Sequence, residues 1–266
     1  MNLLWLGDPK SFDAGLVGGK AANLSRLARM YHHVPDGFSL PVTVMDEAHP
    51  LDLRDEIICA ISDLMACHRL SEFIAAVRSS AVDEDGITAS FAGQHETYLN
   101  IVGAEAIIQA VIRCWESARS ERALEYRRQQ GLSVEHVQIA VLVQQLVAAD
   151  VSAVVFSANP ITSNRDEVVI NASWGLGESI VGGTVTPDTF IVRKSDLAIT
   201  NRLVADKEQM TISIPGGTRE VEVPHFLRHE VCLNDGQILG IAELALTLEA
   251  TMEHPVDVEC AYAGGK

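Results

Sequence analysis

The chain lacks paired cysteines. Its cysteines are odd in number and scattered, and no two of them form a CxxC pair: Cys59, Cys67, Cys114, Cys232 and Cys260. The pattern therefore predicts neither a disulfide framework nor a zinc site, and it favours a reducing, cytoplasmic environment.

Basic residues are few relative to acidic ones. The 266-residue chain has 20 lysines and arginines against 36 aspartates and glutamates, a formal net charge of −16 at pH 7. This balance opposes nonspecific binding to nucleic acid and to anionic membranes. A phosphate-binding site in this chain must therefore be a local group of basic side chains and backbone N–H groups.

Long apolar runs are also missing. No stretch approaches the length of a membrane span. The N-terminal segment turns polar at Gly7, Asp8 and Pro9, too early for a secretory signal. With 47% hydrophobic residues, the chain can bury a sizeable core, as one large domain or as two lobes that share a cleft. We therefore expect a globular protein without a membrane partner.

Helical and strand-like segments are mixed without a regular alternation. Apolar residues at three- and four-residue spacing predict helices over 19–31, 51–70, 104–115, 118–129 and 235–252, the last with Asn234 or Asp235 as N-cap. Runs rich in branched residues predict strands over 73–77, 137–146, 153–157, 167–172, 188–193, 209–214 and 255–261. This mixture favours an α+β fold over a doubly wound sheet.

A glycine-rich segment near the start leads into the first helix with a cation. Gly15, Gly18 and Gly19 precede Lys20, and the free N–H groups at a helix N-terminus favour an anion. Ala21 follows the lysine where a P-loop has Ser or Thr, so a Walker ATPase is disfavoured. By itself the segment fits a phosphate site and a plain loop with a surface lysine equally well.

The segment 77–98 holds a second candidate for phosphate binding. Its strand is expected to deliver Arg78 and two serines at its carboxyl end, which offers a charged fork and two hydroxyls to phosphate oxygens. Gly93 would allow close approach of the backbone, and Thr97 adds a hydroxyl. The alternative is an Arg78 paired with the acidic residues at 83–85 in an ordinary loop.

Two segments in the second half carry further polar groups. The glycines of 175–182 have GxGxxxxG spacing, not the GxGxxG of a dinucleotide fingerprint, so a Rossmann domain is disfavoured.

The carboxylates of Asp257 and Glu259 alternate along a predicted strand and therefore project from one face. The two negatively charged carboxylates repel each other unless a cation lies between them, and Mg²⁺ bound to nucleotide phosphates is the obvious candidate. A solvated strand face is the alternative.

These segments occur in an order that resembles one known family. The order is GGKAANL, VRSSAVDED with SFAGQHETYLN, AVLVQQLV, SANPITSNR, GLGESIVGGTVTPD and HPVDVEC, over most of residues 12–261. It is similar to the nucleotide-binding domain of the phosphoenolpyruvate synthase, pyruvate phosphate dikinase and rifampin phosphotransferase family. The resemblance implies an α+β ATP-grasp fold in which two lobes, 1–135 and 136–266, have mixed or antiparallel sheets and enclose a nucleotide cleft.

The resemblance also implies roles for residues of the first lobe. Lys20 of GGK and Arg78 of VRSS would grip the phosphate oxygens of ATP and serve as the catalytic pair. Gly93 and Thr97 would belong to the loop over the phosphates. The first lobe would therefore bind the phosphates.

Residues of the second lobe receive the remaining roles by resemblance. Gln144 would lie at the hinge that receives adenine, and Glu178 of GLGE would line the same cleft. Glu259, with Asp257 beside it, would hold Mg²⁺ at the phosphates. ATP and Mg²⁺ are therefore the implied cofactors.

The activity that the resemblance implies is ATP-dependent phosphotransfer to a histidine on a separate swivelling domain, for passage to pyruvate or to rifamycin. We expect that phosphohistidine domain, the acceptor-substrate domain and a strand that completes the second lobe to lie outside this chain. They would belong to a longer enzyme or to another subunit. A non-catalytic nucleotide-binding module, or the ATP-using subunit of a biosynthetic ligase, is the alternative.

Overall fold

A computed structural model describes residues 3–30, 33–47, 53–82, 96–129, 131, 133–135 and 137–265. The chain divides into two compact units. Unit 1 comprises Met1–Leu146 with Pro215–Gly217, and unit 2 comprises Val147–Ile214 with Thr218–Lys266. Each unit combines helices with an antiparallel sheet, which confirms the predicted α+β class.

Unit 1 is built on a five-stranded sheet with the order β1-β2-β5-β3-β4, in which all neighbours are antiparallel. Its strands are β1 (Leu4–Trp5), β2 (Gly37–Leu40), β3 (Ile74–Ala81), β4 (Thr97–Val102) and β5 (Ile139–Gln145). A 3-10 turn at Pro9–Phe12 precedes the helices, which are α1 (Ala14–Arg29), α2 (Val42–Glu47), α3 (Arg54–His68), α4 (Ala104–Ala118) and α5 (Glu121–Gln129).

Helices cover both faces of this first sheet. On one face, α3 and α4 bury their apolar sides against alternate strand residues such as Val77, Val141 and Val143. On the other face, α1 packs through Val17 and Ala21 on Leu142 and its neighbours. Because α1 lies on the side of Leu142, residues paired with Leu142 across the sheet face α1.

Unit 2 has its own five-stranded antiparallel sheet, ordered β12-β6-β7-β8-β9. Its strands are β6 (Val151–Phe156), β7 (Glu167–Trp174), β8 (Asp188–Arg193), β9 (Ala198–Leu203) and β12 (Asp257–Tyr262). The other elements are the two-stranded sheet of β10 (Gln209–Ile214) and β11 (Gly217–Glu222), and the helices α6 (Glu178–Val181) and α7 (Asp235–Met252).

Helix α7 covers one face of the second sheet, as its sequence predicts. Asn234 is the N-cap and forms a capping box with Gln237, in which each side chain accepts from the other residue's backbone N–H at 3.0 Å. The buried apolar side of α7, which includes Ile238 and Ile241, packs on strand residues such as Ile170 and Phe190. The predicted helix and its cap are therefore confirmed.

A buried ion pair connects the start of β8 to two loops of unit 2. Asp188 and Lys207 are both fully buried, and Lys207 Nζ lies 2.6 Å from Asp188 Oδ1. The same carboxylate accepts from the backbone N–H groups of Ala205 at 2.9 Å and Cys232 at 3.0 Å. Lys207 Nζ also donates to the Ala205 carbonyl at 3.2 Å. No pattern in the sequence indicated this cluster.

Several boundaries differ from the expectations. The first segment of unit 1 ends at Leu146, later than the predicted boundary at 135/136, because β5 pairs with β2 and β3 and so belongs to unit 1. No strand was predicted at the positions of β1, β2, β4, β9 or β11. Strand pairing joins residues distant in sequence, so local patterns do not reveal it. Within the described ranges, none of the helices combines the length and apolar character that a membrane crossing requires.

Candidate functional site

Arg78 lies inside β3 and faces α1. Arg78 was expected to follow the end of the strand. The strand instead continues to Ala81, so Arg78 lies within it. Its cross-strand partner is Leu142, which packs on α1. Arg78 is half-buried. The guanidinium is therefore carried by a rigid strand and not by a loop.

The glycine-rich segment packs directly on this strand. Helix α1 is broken at Gly18, whose φ of 76° and ψ of 164° are not helical, so Lys20 lies in the first turn of the segment after the break. The backbone N–H of Ala21 donates to Ser80 Oγ at 3.2 Å. A Cβ atom at Gly18 would lie 2.1 Å from the Ser80 carbonyl oxygen. The segments that carry Lys20 and Arg78, separate in sequence, are therefore in contact in unit 1.

Thr97 lies beside Arg78. It was expected in a loop, but it is the first residue of β4 and the cross-strand partner of Arg78. Directly opposed residues in an antiparallel pair share a sheet face, so both face the α1 side. Gly93, the other residue assigned to that loop, lies outside the described residues.

Gln144 belongs to unit 1 and not to the second lobe, where it was expected. It lies in β5 opposite Ala76, is 5% exposed, and donates from Nε2 to the Pro35 carbonyl at 2.9 Å. It lies two positions after Leu142 on the same strand and therefore shares its face. No hydrogen bond from the described residues to the Gln144 amide oxygen is present, so this oxygen can accept one from a ligand two residues before the first segment of unit 1 ends.

The thiol of Cys114 in α4 is buried, and charged groups of both signs act on it. Burial raises the pKa of Cys114 to about 12 and Glu96 adds to the increase, whereas Arg113 and Lys20 act in the opposite direction. The thiol is protonated at neutral pH, so Cys114 is not a nucleophile. Covalent chemistry through cysteine is therefore not a feature of this part of unit 1.

In unit 2, Asp257 and Glu259 share one face of the second sheet, as predicted. Both side chains are exposed. Val258 and Cys260, which alternate with them along β12, pack towards α7 on the opposite face. We call this side of the sheet the carboxylate face; it consists of Asp257, Glu259 and the residues level with them on the other strands. In the part of the chain that the structure describes, no group of three His, Cys, Asp or Glu residues could hold a metal ion.

Glu178 lies on the same side of the sheet. It is the first residue of α6 and follows Gly177, where an added Cβ would lie 3.4 Å from the Ser152 Cβ atom. Ser152 pairs with Ala261 and so belongs to the carboxylate face. Glu178 is exposed and accepts a hydrogen bond from Thr218 Oγ1 at 2.8 Å. Unit 2 therefore brings its three predicted carboxylates to one side of its sheet.

Other polar residues of the two faces were missed by the sequence analysis. Ser80 was considered only as a hydroxyl near Arg78, yet it holds the backbone of α1. Asn171 and Thr189 lie on the carboxylate face and contact each other. Both fall in strands that were predicted, but only the pairing of the strands shows that they are level with Glu259.

The site residues thus form two groups, one in each unit. Unit 1 carries Lys20, Arg78, Thr97 and Gln144 on its α1 side, and unit 2 carries the three carboxylates. The convergence of both groups on a single nucleotide stays a prediction.

Most of the chain matches the sequence profile of one protein family. The sequence profile of a family described as "Pyruvate phosphate dikinase, AMP/ATP-binding domain" matches residues 40–266. This range includes all the candidate residues except Lys20.

Similar curated proteins carry related names. A probable phosphoenolpyruvate synthase of Methanocaldococcus jannaschii is 45% identical over 84% of this chain and 19% of its own length. A rifampicin phosphotransferase of Streptomyces sviceus is 36% identical over 92% of this chain and 32% of its own length. An uncharacterized phosphotransferase of Bacillus subtilis is 36% identical over 93% of this chain and 32% of its own length. The chain therefore spans less than half of the length of these relatives.

Proposed function

Because the chain belongs to the AMP/ATP-binding domain family of pyruvate phosphate dikinase, we propose that it is the ATP-binding part of a dikinase-type phosphotransferase. The phosphoryl group of ATP would pass to a histidine on a separate domain. The names of the relatives suggest pyruvate or rifampicin as the final acceptor. The short coverage of those relatives supports further domains outside this sequence.

The observation that carries this proposal is the contact between α1 and β3. A glycine without a side chain lets α1 approach the Ser80 backbone, and Ser80 Oγ holds the backbone N–H of Ala21. This contact fixes the helix segment that carries Lys20 against the strand that carries Arg78. Two cationic side chains on packed elements are suited to binding phosphate oxygens in a fixed geometry.

The roles proposed for these side chains are positioning and charge neutralisation. Phosphoryl transfer needs little covalent participation by the protein, so oriented cations supply most of the stabilisation of the developing charge. Lys20 and Arg78 would bind phosphate oxygens, and Thr97 would donate its hydroxyl beside Arg78. Gln144 would offer its amide oxygen to the amino group of adenine.

Asp257 and Glu259 are the proposed ligands of Mg²⁺. Mg²⁺ in nucleotide sites is usually held by one or two carboxylates together with phosphate oxygens and water. Two exposed carboxylates on one strand face fit that requirement without a third protein ligand. When bound, the cation would neutralise negative charge on the phosphates.

Arg78→Ala tests the phosphate-binding role. Loss of a charge-assisted contact costs about 1.5–3 kcal/mol, so we expect the affinity for ATP to fall by about 10- to 100-fold. Isothermal titration calorimetry with ATP and Mg²⁺ measures the change. Arg78→Lys is expected to recover only part of the loss, because an ammonium group lacks the planar fork.

Arg29→Ala is the matched control, because Arg29 is an exposed arginine at the end of α1. It is expected to bind ATP like the unmodified chain. ATP binding that is equally strong in both alanine variants would contradict the role of Arg78. ATP binding without AMP formation, after addition of a phosphohistidine domain, would favour the non-catalytic alternative.

Glu259→Gln tests the metal-binding role. We expect the affinity for ATP in Mg²⁺ to fall about tenfold, because a neutral amide is a poorer ligand for Mg²⁺. Without Mg²⁺ the affinity is expected to be unchanged or higher, because a negative charge has been removed. Calorimetry with and without Mg²⁺ measures both values. An equal loss under both conditions would contradict metal binding, and the exposed Glu222→Gln variant in β11 controls for net charge.

A further inference from the structure

Two polar side chains contact each other near the middle of the carboxylate face. Asn171 lies in β7, which is the central strand of the second sheet, and Thr189 lies in β8. Thr189 Oγ1 donates a hydrogen bond to Asn171 Oδ1 at 3.0 Å. Both residues are half-buried, so each retains surface that a ligand can contact.

The pair is level with Glu259 across the sheet. Glu259 is opposite Val154, Val154 is opposite Asn171, and Asn171 is opposite Thr189. Neighbouring strands lie about 4.8 Å apart, so Asn171 is about 10 Å from Glu259 along the sheet. This separation leaves room for a phosphate chain between a cation at Glu259 and a group bound at Asn171.

Apolar side chains adjoin the pair on the same face. Phe156 and Ile191 lie in the next row along the strands, with Val169 between them, and both are half-buried. Val154 lies beside Asn171 in its own row. Apolar surface with a few oriented polar groups is typical of sites for small organic molecules.

Thr189 determines the direction of the Asn171 amide. Because Oδ1 accepts the Thr189 hydroxyl proton, Nδ2 is the end of the amide that is left as a donor. Among the residues that the structure describes, none accepts a hydrogen bond from Nδ2. The oriented donor therefore requires an acceptor from solvent or from a ligand.

From these contacts we infer that Asn171 contacts the nucleoside part of ATP, donating from Nδ2 to an acceptor atom of the base or the ribose. Thr189 is then a positioning residue, because it acts through Asn171. This role rests on the proposed function, since it requires that ATP binds along the carboxylate face. It adds a nucleoside contact to the phosphate and metal contacts proposed for the other residues.

Asn171→Asp tests this contact without changing the size of the side chain. Calorimetry in Mg²⁺ would compare ATP with GTP, which changes the base, and with 2′-deoxyATP, which changes the sugar. The unmodified chain is expected to prefer ATP over at least one of them. In Asn171→Asp the affinity for ATP is expected to fall about tenfold and that preference to be lost. Loss of selectivity against GTP would identify the base, and loss against 2′-deoxyATP would identify the ribose.

Asn201→Asp is the matched control, because Asn201 is an exposed residue of β9 at the edge of the same face. It introduces the same charge and is expected to keep both affinity and selectivity. Thr189→Val is expected to weaken ATP binding and selectivity in the same direction as Asn171→Asp, and Thr189→Ser to restore them. Thr189→Val adds no charge, so it carries the test if Asn171→Asp does not fold.

The outcomes separate this inference from the proposed function. If the unmodified chain does not bind ATP, the proposed function fails and the inference fails with it. The inference alone fails if the unmodified chain binds ATP, GTP and 2′-deoxyATP equally. It also fails if Asn171→Asp and Thr189→Val keep the original selectivity, even where the affinity for ATP is lower, because a change in stability or charge alone leaves selectivity intact.

Discussion

Replacement of Lys207 by methionine is expected to lower the free energy of unfolding by about 3–5 kcal/mol. Lys207 and its partner Asp188 are both fully buried, with Nζ and Oδ1 2.6 Å apart. Methionine fills a similar volume but leaves the Asp188 carboxylate as an uncompensated charge in the interior, which is strongly disfavoured. Urea unfolding followed by circular dichroism measures the change.

The other contacts of Asp188 hold its carboxylate in the interior, so a small local movement is not expected to relieve the cost of the uncompensated charge. Its oxygens also accept from the backbone N–H groups of Ala205 and Cys232, so the carboxylate connects β8 to two loops. We therefore expect hydrogen exchange in Lys207→Met to increase first around 204–208 and 229–233. Exchange that increases uniformly over both units would contradict a local role for the pair.

Lys194→Met is the matched control for this prediction. Lys194 also pairs with a carboxylate, that of Glu249, but both side chains are partly exposed. Ion pairs near the surface contribute about 1 kcal/mol or less, so a small loss of stability is expected. Equal losses in the two lysine variants would show that burial does not determine the effect.

Gly18→Ala is expected to reduce the free energy of unfolding by about 2–4 kcal/mol and to weaken ATP binding at the same time. The combination of φ 76° and ψ 164° at Gly18 is essentially restricted to glycine. The added Cβ would also lie 2.1 Å from a backbone oxygen of Ser80, so β3 and α1 would have to separate. Urea unfolding measures the first effect and calorimetry the second.

Gly240→Ala provides the control for the same substitution elsewhere. Gly240 is exposed within α7, and a Cβ atom there would meet nothing within 4 Å. Alanine is a better helix former than glycine, so stability is expected to rise by about 0.5–1 kcal/mol, with ATP binding unchanged. If Gly18→Ala binds ATP normally, the contact between α1 and β3 is not needed to position Lys20.

Much of the fold could be predicted from local patterns. Helix α7 has a capping residue, a regular apolar face and no interruption, so its start at Asp235 and its buried side were predicted correctly. The α+β class followed from the mixture of helical and strand-like segments. Such features depend on neighbouring residues in the chain, which is why the sequence alone contains them.

The placement of site residues depended on strand pairing. Thr97 begins the segment TYLNIV, whose branched and aromatic residues favour a strand, but it was assigned to a loop by resemblance; β4 pairs it with Arg78. Gln144 was assigned to the second lobe because its segment follows the predicted boundary, yet β5 completes the first sheet. In both cases long-range pairing, and not the local pattern, decided the environment of the side chain.

The amino-acid sequence determined by itself which chemical groups are present and in what order: the glycines before Lys20, the basic residue of VRSS, and the alternating carboxylates of Asp257 and Glu259. It also determined the family, because that order is specific. Only the tertiary structure decided which groups are neighbours, such as Ser80 with α1 and Asn171 with Thr189. The reason is that strand register sets the face on which each side chain lies, and a shift of one residue would move it to the opposite face.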